Sequence, residues 1–375
     1  MRNENDAIMG FNKIRLPVII RSSFIIGGRA MDIIYDRTAG ISRIREVLTS
    51  FPEHPVLISE YLENSTELDV DFISDGKKSL IAGISVHLEE AGIHSGDAMS
   101  VIGPNLVDDA SRNEIISIVD RLTEEFHLIG LSNLQIALNK SGIYIIELNA
   151  RSSRSVPYVS KAIGRDVTLT SIKFTMGIEK AEVSRIEPVS FFCKVPIFPF
   201  KRFPEHDILL SPEMKSTGEG LGIGKTFEEA VLKAFNIQNH RFNGSGGCLI
   251  SVNDFYKDMI VEVAKDLKRE GILLFSTPGT HNFLRENGID SFLVFKIGDE
   301  RRPTVRDVLE NQDIMMIINL PNRSTGSIAD GFEIRRIATA KNIPVVTNLN
   351  LSKAIVRSLA KKPRMVPREL KEYYI

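Results

Sequence analysis

A glycine-rich segment in the second half of the chain constrains the fold more than any other feature. Asn243-Gly244-Ser245-Gly246-Gly247 has the composition of a linker, and the pattern of apolar residues changes across it. The length of 375 residues also exceeds that of one ordinary domain and suggests two or three. We therefore expect a first domain over residues 1–243 and a second over residues 248–375.

Beyond this segment, short apolar runs alternate with stretches of helical character. The predicted strands lie at 273, 292–295, 315–319 and 344–347, and the predicted helices at 257–269, 281–287, 305–311, 332–341 and 352–359. A βαβα order of this kind is typical of a doubly wound parallel sheet. We expect an α/β fold for the second domain.

Before the glycine-rich segment, turn-forming residues separate pairs of apolar runs, which predicts hairpins and an α+β fold. The turn signals are Gly27-Gly28-Arg29, Asp75-Gly76 and Ser141-Gly142. The first strand is expected at 16–20, and two further apolar runs, at 24–26 and 31–35, flank the first turn. The predicted helices are 114–127, opened by a capping box of Ser111 and Glu114, and 227–237, opened by one of Thr226 and Glu229.

The charge balance and the cysteines exclude several classes of protein. Lys and Arg number 47 against 48 Asp and Glu, a net charge of −1, which argues against a nucleic-acid partner. Cys193 and Cys248 lie in apolar runs without a CxxC partner, so we expect core residues in a reduced, cytoplasmic setting. The sequence shows neither the apolar core of a signal peptide nor a membrane-spanning run, and we expect a soluble protein without a membrane partner.

The two strands of one predicted hairpin carry side chains that could hold a divalent cation. Glu147 and Asn149 share a face of their strand, and Gln135 lies across from them on the partner strand. A carboxylate and two carboxamide oxygens suit Mg²⁺, which completes its shell with nucleotide phosphates. Arg151 and Arg154 follow and could neutralise a phosphoryl group or an anionic substrate. The residues alone are equally compatible with a strand end that faces water.

Two loops could approach a nucleotide. The run from Arg21 to Arg29 offers two arginines and glycine amides that could cover phosphates, although most Gly-Gly pairs are ordinary turns. It lacks the Gly-Lys-Ser/Thr of a Walker A motif. His94-Ser95-Gly96-Asp97 is a polar loop after an apolar strand, where a histidine is more often a hydrogen-bonded loop residue than a catalytic base.

In the second domain, Thr277-Pro278-Gly279-Thr280 lies between a predicted strand and a predicted helix. Amides and hydroxyls at a helix N-terminus bind anions, and Lys257, Lys296 and Asn319 could complete such a site. From the residues alone, an ordinary strand-to-helix turn is the favoured interpretation. The HExxH and GxSxG motifs of metalloproteases and of many hydrolases do not occur in the sequence.

Five segments, in this order, resemble the carbamoyl phosphate synthase large-subunit family. They are RSSFIIGGRAMDIIY (21–35), ELDVDF (67–72), EAGIHSGD (90–97), NLQIALNKSGIYIIELNARSSRSVPYVSK (133–161) and SPEMKSTGEGLGIGKT (211–226). The resemblance is to the second, carbamate-phosphorylating ATP-grasp unit and to the methylglyoxal-synthase-like domain after it. It implies a partial ATP-grasp domain over 1–243, which begins within the lid subdomain, and a methylglyoxal-synthase-like regulatory domain over 248–375.

Carried over by position, the resemblance implies four sets of site residues. A magnesium (or manganese) set would consist of Gln135, Glu147 and Asn149. An ATP-binding set would consist of Arg21, Glu60, Leu62, Glu67, Gly92, Ile93, His94, Ser95, Gln135 and Glu147, and the catalytic residues would be Arg21, Glu147, Asn149 and Arg151. An effector-binding set in the second domain would consist of Lys257, Thr277, Thr280, Lys296 and Asn319.

The family's chemistry implies that ATP phosphorylates carbamate to give carbamoyl phosphate and ADP, for pyrimidine and arginine biosynthesis. The implied partners are a separately encoded N-terminal part of the large subunit, a glutamine amidotransferase small subunit and a small-molecule allosteric effector. Ala150 replaces the proline of the family's Asn-Pro-Arg, and Leu320-Pro321 replaces two threonines. Because the chain begins within the lid, we do not expect it to turn over alone. The alternative is an inactive fragment that binds an effector.

Overall fold

The structure, a computed structural model, describes residues 4–22, 32–62, 65–180, 185–203, 205–237, 246–321 and 328–374. A three-stranded and a seven-stranded sheet, both antiparallel, precede the glycine-rich segment, and a five-stranded parallel sheet includes its last residue. The predicted combination of α+β and α/β folds is confirmed. No helix in these ranges is both long and apolar enough to cross a membrane.

The small sheet comprises β1 (Val18–Ser22), β2 (Asp32–Ile34) and β3 (Val56–Glu60), with β1 in the centre. Helices α1 (Glu4–Lys13) and α2 (Arg37–Ser50) cover it through a core that includes Phe11, Ile20 and Ile44. The first strand begins after Pro17, two residues later than predicted, because proline cannot donate a ladder hydrogen bond. The predicted glycine loop at 27–29 and the apolar run at 24–26 lie outside the described residues.

The large sheet comprises β4 (Thr66–Asp75), β5 (Ser79–His87), β6 (Ser100–Ile102), β7 (Ile129–Asn139), β8 (Gly142–Asn149), β9 (Phe191–Ile197) and β10 (Gly218–Gly224). Their order across the sheet is β10-β9-β6-β5-β4-β7-β8. Its helices are α3 (Asp109–Phe126), α4 (Val156–Ile163), α5 (Val167–Thr175) and α6 (Phe227–Ile237). The hairpins predicted at Asp75-Gly76 and Ser141-Gly142 are confirmed.

Strand β4 separates two environments because its side chains alternate between the faces of the sheet. On one face, Leu68, Val70 and Phe72 pack in an apolar cluster with residues of α3. On the other face, Ile73 packs in a second apolar cluster with residues of α4 and α5. The side chains that precede Ile73 on this face are buried and acidic: Glu67, Asp69 and Asp71. This face is therefore apolar under the helices and polar beyond them.

Helix α3 begins about five residues earlier than the sequence predicts. The carboxylate of Asp108 caps it by accepting a hydrogen bond from the Ser111 N–H at 2.9 Å. The predicted capping box of Ser111 and Glu114 is wrong, because Ser111 already lies in the first turn. For α6, whose bounds are as predicted, the Thr226 hydroxyl accepts from the Glu229 N–H at 3.2 Å. The Glu229 carboxylate accepts from the N–H of Lys225, at 2.9 Å, and not from that of Thr226 as a capping box requires.

The parallel sheet comprises β11 (Gly247–Val252), β12 (Leu273–Ser276), β13 (Phe292–Leu293), β14 (Ile314–Leu320) and β15 (Val345–Val346), in the order β13-β12-β11-β14-β15. Its helices are α7 (Lys257–Arg269), α8 (Pro278–Glu286), α9 (Val305–Asn311), α10 (Ile328–Lys341) and α11 (Leu349–Ala360). Helices α7 and α11 pack on one face, and α9 and α10 on the other. The predicted doubly wound sheet is confirmed, and its strand order reverses between β11 and β14.

The chain before and after the glycine-rich segment is joined by apolar packing. Phe235 of α6 belongs to the same buried cluster as Val356 of α11. Farther along, Tyr373 is buried in the cluster beneath α4, and the Tyr374 hydroxyl donates to the Lys161 carbonyl at 2.6 Å. The residues after α11 thus return to the large sheet. The domain boundary itself stays a prediction, since residues 238–245 lie outside the described ranges.

Glycines on β10 allow α6 to lie directly on the sheet, and Gly222 marks a close approach. A Cβ atom here would lie 2.3 Å from the Ala230 carbonyl oxygen and 2.3 Å from the Ala234 nitrogen, both backbone atoms. We expect Gly222→Ala to lower the free energy of unfolding by about 1–3 kcal/mol, measured by urea denaturation. Gly218→Ala is the control on the same strand, because its Cβ would meet only the Ile197 Cβ at 3.9 Å. Equal destabilisation by both variants would contradict this packing.

Candidate functional site

Polar side chains line one face of three neighbouring strands in the large sheet. The register places Asp69 of β4, Gln135 of β7 and Glu147 of β8 side by side. The next row consists of Asp71, Asn133 and Asn149. The predicted opposition of Gln135 and Glu147 is therefore confirmed, and we call these two rows the polar face.

The predicted metal ligands lie together on the polar face. The Asn149 Nδ2 donates to Glu147 Oε1 at 2.7 Å, and Glu147 is exposed. Gln135 Nε2 donates to Glu67, which leaves the carboxamide oxygen of Gln135 as its ligand atom. Groups of three or more His, Cys, Asp or Glu able to hold a metal do not occur in the described part of the chain. The set is one carboxylate with two carboxamides, and this all-oxygen chemistry fits Mg²⁺.

An arginine lies two residues after Asn149, the last of the predicted metal ligands. The Arg151 Nη2 donates to Asn149 Oδ1 at 3.2 Å, and the Arg151 N–H donates to the Asn149 carbonyl at 2.8 Å. Arg154, three residues later, contacts the sulfur of Met214 through its guanidinium. The exposed guanidinium of Arg151 thus places a positive charge beside Glu147 and Asn149. Arginine side chains form strong charge-assisted hydrogen bonds with carboxylates and phosphates.

Glu67 connects the hairpin to the loop at 92–97. One of its oxygens accepts the bond from Gln135, and the other accepts from the Gly92 N–H at 3.2 Å. Gly92 has a φ of +95°, which favours glycine at this close approach. Within the loop, His94 Nδ1 accepts from the Gly96 N–H at 3.0 Å, so His94 is a hydrogen-bonded loop residue. Ile93 is buried in this loop, and the Ser95 carbonyl accepts a hydrogen bond from Lys194 Nζ at 2.8 Å.

The remaining predicted ATP residues lie on or after the small sheet. Arg21 is an exposed residue of β1, Glu60 ends β3 and Leu62 follows it. Between the last two, the Tyr61 hydroxyl donates to the Ala91 carbonyl at 2.8 Å. This bond joins the end of the small sheet to the loop whose Gly92 N–H donates to Glu67. Arg21, on β1, lies on a different sheet from Glu147.

Sequence reasoning missed three charged residues that support this site. Asp69 accepts from His87 Nε2 at 2.9 Å, and both side chains are buried. Burial opposes ionisation of both groups, but their mutual attraction outweighs it, lowering the pKa of Asp69 and raising the pKa of His87. The third is the buried Lys194. The available signal was the alternation of acidic and apolar residues in ELDVDF, which is the pattern of a strand with one apolar and one polar face.

In the parallel sheet, four of the five predicted effector residues gather where the strand order reverses. Thr277 Oγ1 lies 3.3 Å from Ser251 Oγ and 3.5 Å from Thr280 Oγ1, and Asn319 Nδ2 donates to the Ser251 carbonyl at 3.3 Å. The Lys257 Nζ lies 3.5 Å from where a Cβ on Gly279 would be. Ligands of doubly wound folds bind at this kind of crevice. Lys257 also pairs with Asp254 at 2.6 Å, and the fifth residue, Lys296, pairs with Asp330 at 2.6 Å.

Known proteins with both kinds of domain match this chain. A family model described as carbamoyl-phosphate synthase L chain, ATP binding domain, matches residues 1–183, and one described as MGS-like domain matches 259–347. The carbamoyl phosphate synthase large chain, C-terminal section, of Aquifex aeolicus is 36% identical over an aligned length of 377 residues, gaps included. The match covers 96% of this chain and 70% of that protein. The chain belongs to the carbamoyl phosphate synthase large-chain family. The resemblance seen in the sequence is confirmed.

Other members of this family differ in length. The carbamoyl phosphate synthase large chain of Thermoplasma volcanium is 45% identical over 358 residues, which cover 96% of this chain but 33% of that protein. The C-terminal section from Methanocaldococcus jannaschii is 36% identical, with 95% of this chain and 60% of that protein covered. This family member therefore spans about a third of the length of the Thermoplasma relative. It combines an ATP-grasp fold of the ligase family with an MGS-like domain.

Glu89 is a buried acid that has no assigned role in this family member. It lines a cavity of about 350 Å³ whose walls include Met99 and Thr347, from opposite sides of the glycine-rich segment. Burial raises the pKa of Glu89 from 4.5 to about 7, although a hydrogen bond from the Met99 N–H opposes the change. Between pH 4.5 and about 7 the unfolded chain carries this charge and the folded chain does not, so stability falls as pH rises.

We expect Glu89→Gln to remove this pH dependence. From pH 4.5 to about 7, the free energy of unfolding of the wild type should fall by about 3 kcal/mol more than that of the variant. Urea denaturation at a series of pH values measures the difference. Glu125→Gln, at an exposed position on α3, is the control and should follow the wild type. Parallel pH profiles for Glu89→Gln and the wild type would show that Glu89 ionises normally in the folded protein.

Proposed function

We propose that this chain supplies the metal and nucleotide side of the carbamate-phosphorylating site of a carbamoyl phosphate synthase. The observation that carries the proposal is the row of Gln135 and Glu147, with Asn149 and Arg151 beside it, in a member of this family. In the proposed reaction, a carbamate oxygen attacks the γ-phosphorus of ATP, the bond to the β-phosphate oxygen breaks, and carbamoyl phosphate and ADP form.

The cofactors would be ATP and Mg²⁺ (or Mn²⁺), and most of the catalysis would come from positioning and charge neutralisation. When bound, the ion would neutralise charge on the phosphates. Gln135, Glu147 and Asn149 would hold it, and Arg151 would add a positive charge next to the transferring group. Glu67 supports this arrangement because its two oxygens join Gln135 to the loop at Gly92.

The rest of the proposed nucleotide site surrounds Glu67. Gly92, Ile93, His94 and Ser95 would form the loop beside the nucleotide. Glu60 and Leu62 would contact the adenine side, and their place next to the loop is supported by the bond from Tyr61 to Ala91. Arg21 would approach the phosphates from the small sheet.

We further propose that the chain works with an N-terminal part of the large subunit and with a glutamine amidotransferase small subunit. The names of two relatives, which call them C-terminal sections, support the first partner. Alone, the chain is not expected to complete the reaction. We propose a cytoplasmic role in pyrimidine and arginine biosynthesis, and the two free, buried cysteines are compatible with that compartment.

Glu147→Gln tests the proposed function. In the complex reconstituted with the N-terminal part and the small subunit, we expect formation of carbamoyl phosphate to fall by about 100-fold or more, because a carboxylate ligand is lost. Production of carbamoyl phosphate from bicarbonate, glutamine and ATP is the measurement. Glu124→Gln, an exposed position on α3, is the matched control and should keep full activity. Full activity in Glu147→Gln would falsify the proposal.

A second candidate function is a regulatory module that binds a small anionic effector without catalysis. The cluster of Thr277, Thr280, Asn319 and Lys257 at the reversal point of the parallel sheet favours it. Such a module would bind effector but not nucleotide. Calorimetry with Mg-ATP and, separately, with a nucleoside monophosphate or acetylglutamate distinguishes the two functions.

If the effector site is as proposed, Lys257→Ala should weaken effector binding by about 10-fold or more, since one charge-assisted contact is lost. Lys265→Ala is the matched control, because Lys265 is an exposed residue of the same helix. Titration calorimetry with the effector that binds the wild type gives the two dissociation constants. An equal change in both variants would place the effector elsewhere.

A further inference from the structure

Asp71 is a buried carboxylate on the polar face to which the proposed reaction gives no role. It is 1% exposed and accepts hydrogen bonds from three side chains. Asn133 Nδ2 donates to Oδ1 at 3.1 Å and Ser153 Oγ to Oδ1 at 2.5 Å, whereas Ser155 Oγ donates to Oδ2 at 2.5 Å. No Lys, Arg or His in the described ranges forms an ion pair with it.

The two serines belong to the segment 150–155, which connects β8 to α4. They flank Arg154, and Arg151 lies two residues before Ser153. Their hydroxyl oxygens are 2.7 Å apart. Ser155 occupies the N-cap position of α4 but makes no side-chain cap bond to that helix. A serine at this position ordinarily accepts a hydrogen bond from the first turn of its own helix. Here the Ser155 hydroxyl donates to Asp71 instead.

We infer that Asp71 is a positioning residue for phosphoryl transfer: it anchors segment 150–155 to the sheet and thereby places the guanidinium groups of Arg151 and Arg154. This inference rests on the proposed function, since it concerns the same site. It goes beyond that function by assigning a role to a residue that touches neither nucleotide nor metal ligand.

The free-energy cost of burying Asp71 indicates that its carboxylate has a role beyond filling space. A buried carboxylate without an opposite charge is unfavourable, and two residues farther along the same face Ile73 packs without that cost. Burial raises the pKa of Asp71 to about 6, and the bonds from Ser153 and Ser155 oppose the increase. At neutral pH the group is therefore an anion. Only a carboxylate of this size offers two oxygens that can accept all three donors at once.

The test is a double-mutant cycle in the reconstituted complex. Asp71→Asn keeps the shape of the side chain but replaces one accepting oxygen with a donor. We expect it to lower kcat for carbamoyl phosphate formation by about 10-fold with little change in KM for ATP, because misplaced charges affect the transition state. In the Arg151→Ala, Arg154→Ala background, the same substitution should lower kcat by less than about twofold, since the groups that it positions are gone.

Two further measurements separate anchoring from general stability. Ser153→Ala should lower kcat in part. Ser152→Ala is the matched control, because among the described residues the Ser152 hydroxyl bonds only to the Ser153 carbonyl, at 3.4 Å. Hydrogen exchange should be faster at residues 150–156 in Asp71→Asn, with an unchanged rate in α3.

Three outcomes would overturn the inference. They are equal losses of kcat in both backgrounds, a change in KM alone, and unaltered exchange at 150–156. A wild-type complex without activity would instead reject the proposed function, and the exchange data would still show whether Asp71 anchors the segment.

Discussion

Burial of three carboxylates on one face of β4 is the constraint on which the site depends. An ionised group inside a protein is unfavourable unless it receives hydrogen bonds or an opposite charge. The partners come from separate parts of the chain: Gln135 and Gly92 for Glu67, His87 for Asp69, and Ser153 and Ser155 for Asp71. Each carboxylate therefore determines the place of a different segment, and together they bring the loop, the hairpin and the arginine segment to one place.

The hairpin of β7 and β8 could be predicted because its information is local. A Ser-Gly turn with apolar runs on both sides sets the register as far as Ile136, which pairs with Ile145. A β-bulge between Gln135 and Ile136 then skips Ile146 and brings Gln135 opposite Glu147. The supporting residues His87 and Lys194 could not be predicted, because they meet only when β5, β6 and β9 pair across long stretches of chain. The start of α3 was mispredicted for a local reason. Asp108 and Ser111 are both favourable N-cap residues, and Asp108, the earlier one, caps the helix.

One buried guanidinium joins the two halves of the chain chemically. Arg335 of α10 donates to Asn319 Oδ1 at 2.6 Å and, through Nε, to Asp207 Oδ1 at 2.7 Å. Asn319 belongs to the predicted effector set, whereas Asp207 lies before the glycine-rich segment. Because Arg335 is 1% exposed, its charge needs the carboxylate of Asp207, and a further N–H group needs the Asn319 oxygen as acceptor. A change at Asn319 or at Asp207 therefore alters the hydrogen bonding of the other residue through the Arg335 side chain.

The return of Tyr373 and Tyr374 to the large sheet has a consequence for biosynthesis. The bond from Tyr374 to Lys161 joins positions 213 residues apart, and the Tyr374 ring stacks on Phe192. A ribosome would release the strand bearing Phe192 long before the tyrosines that cover it. Until then, this apolar surface stays open to solvent, and the large sheet cannot reach its final stability. Translation speed across the parallel-sheet region thus becomes a determinant of how long a nascent chain is vulnerable to aggregation.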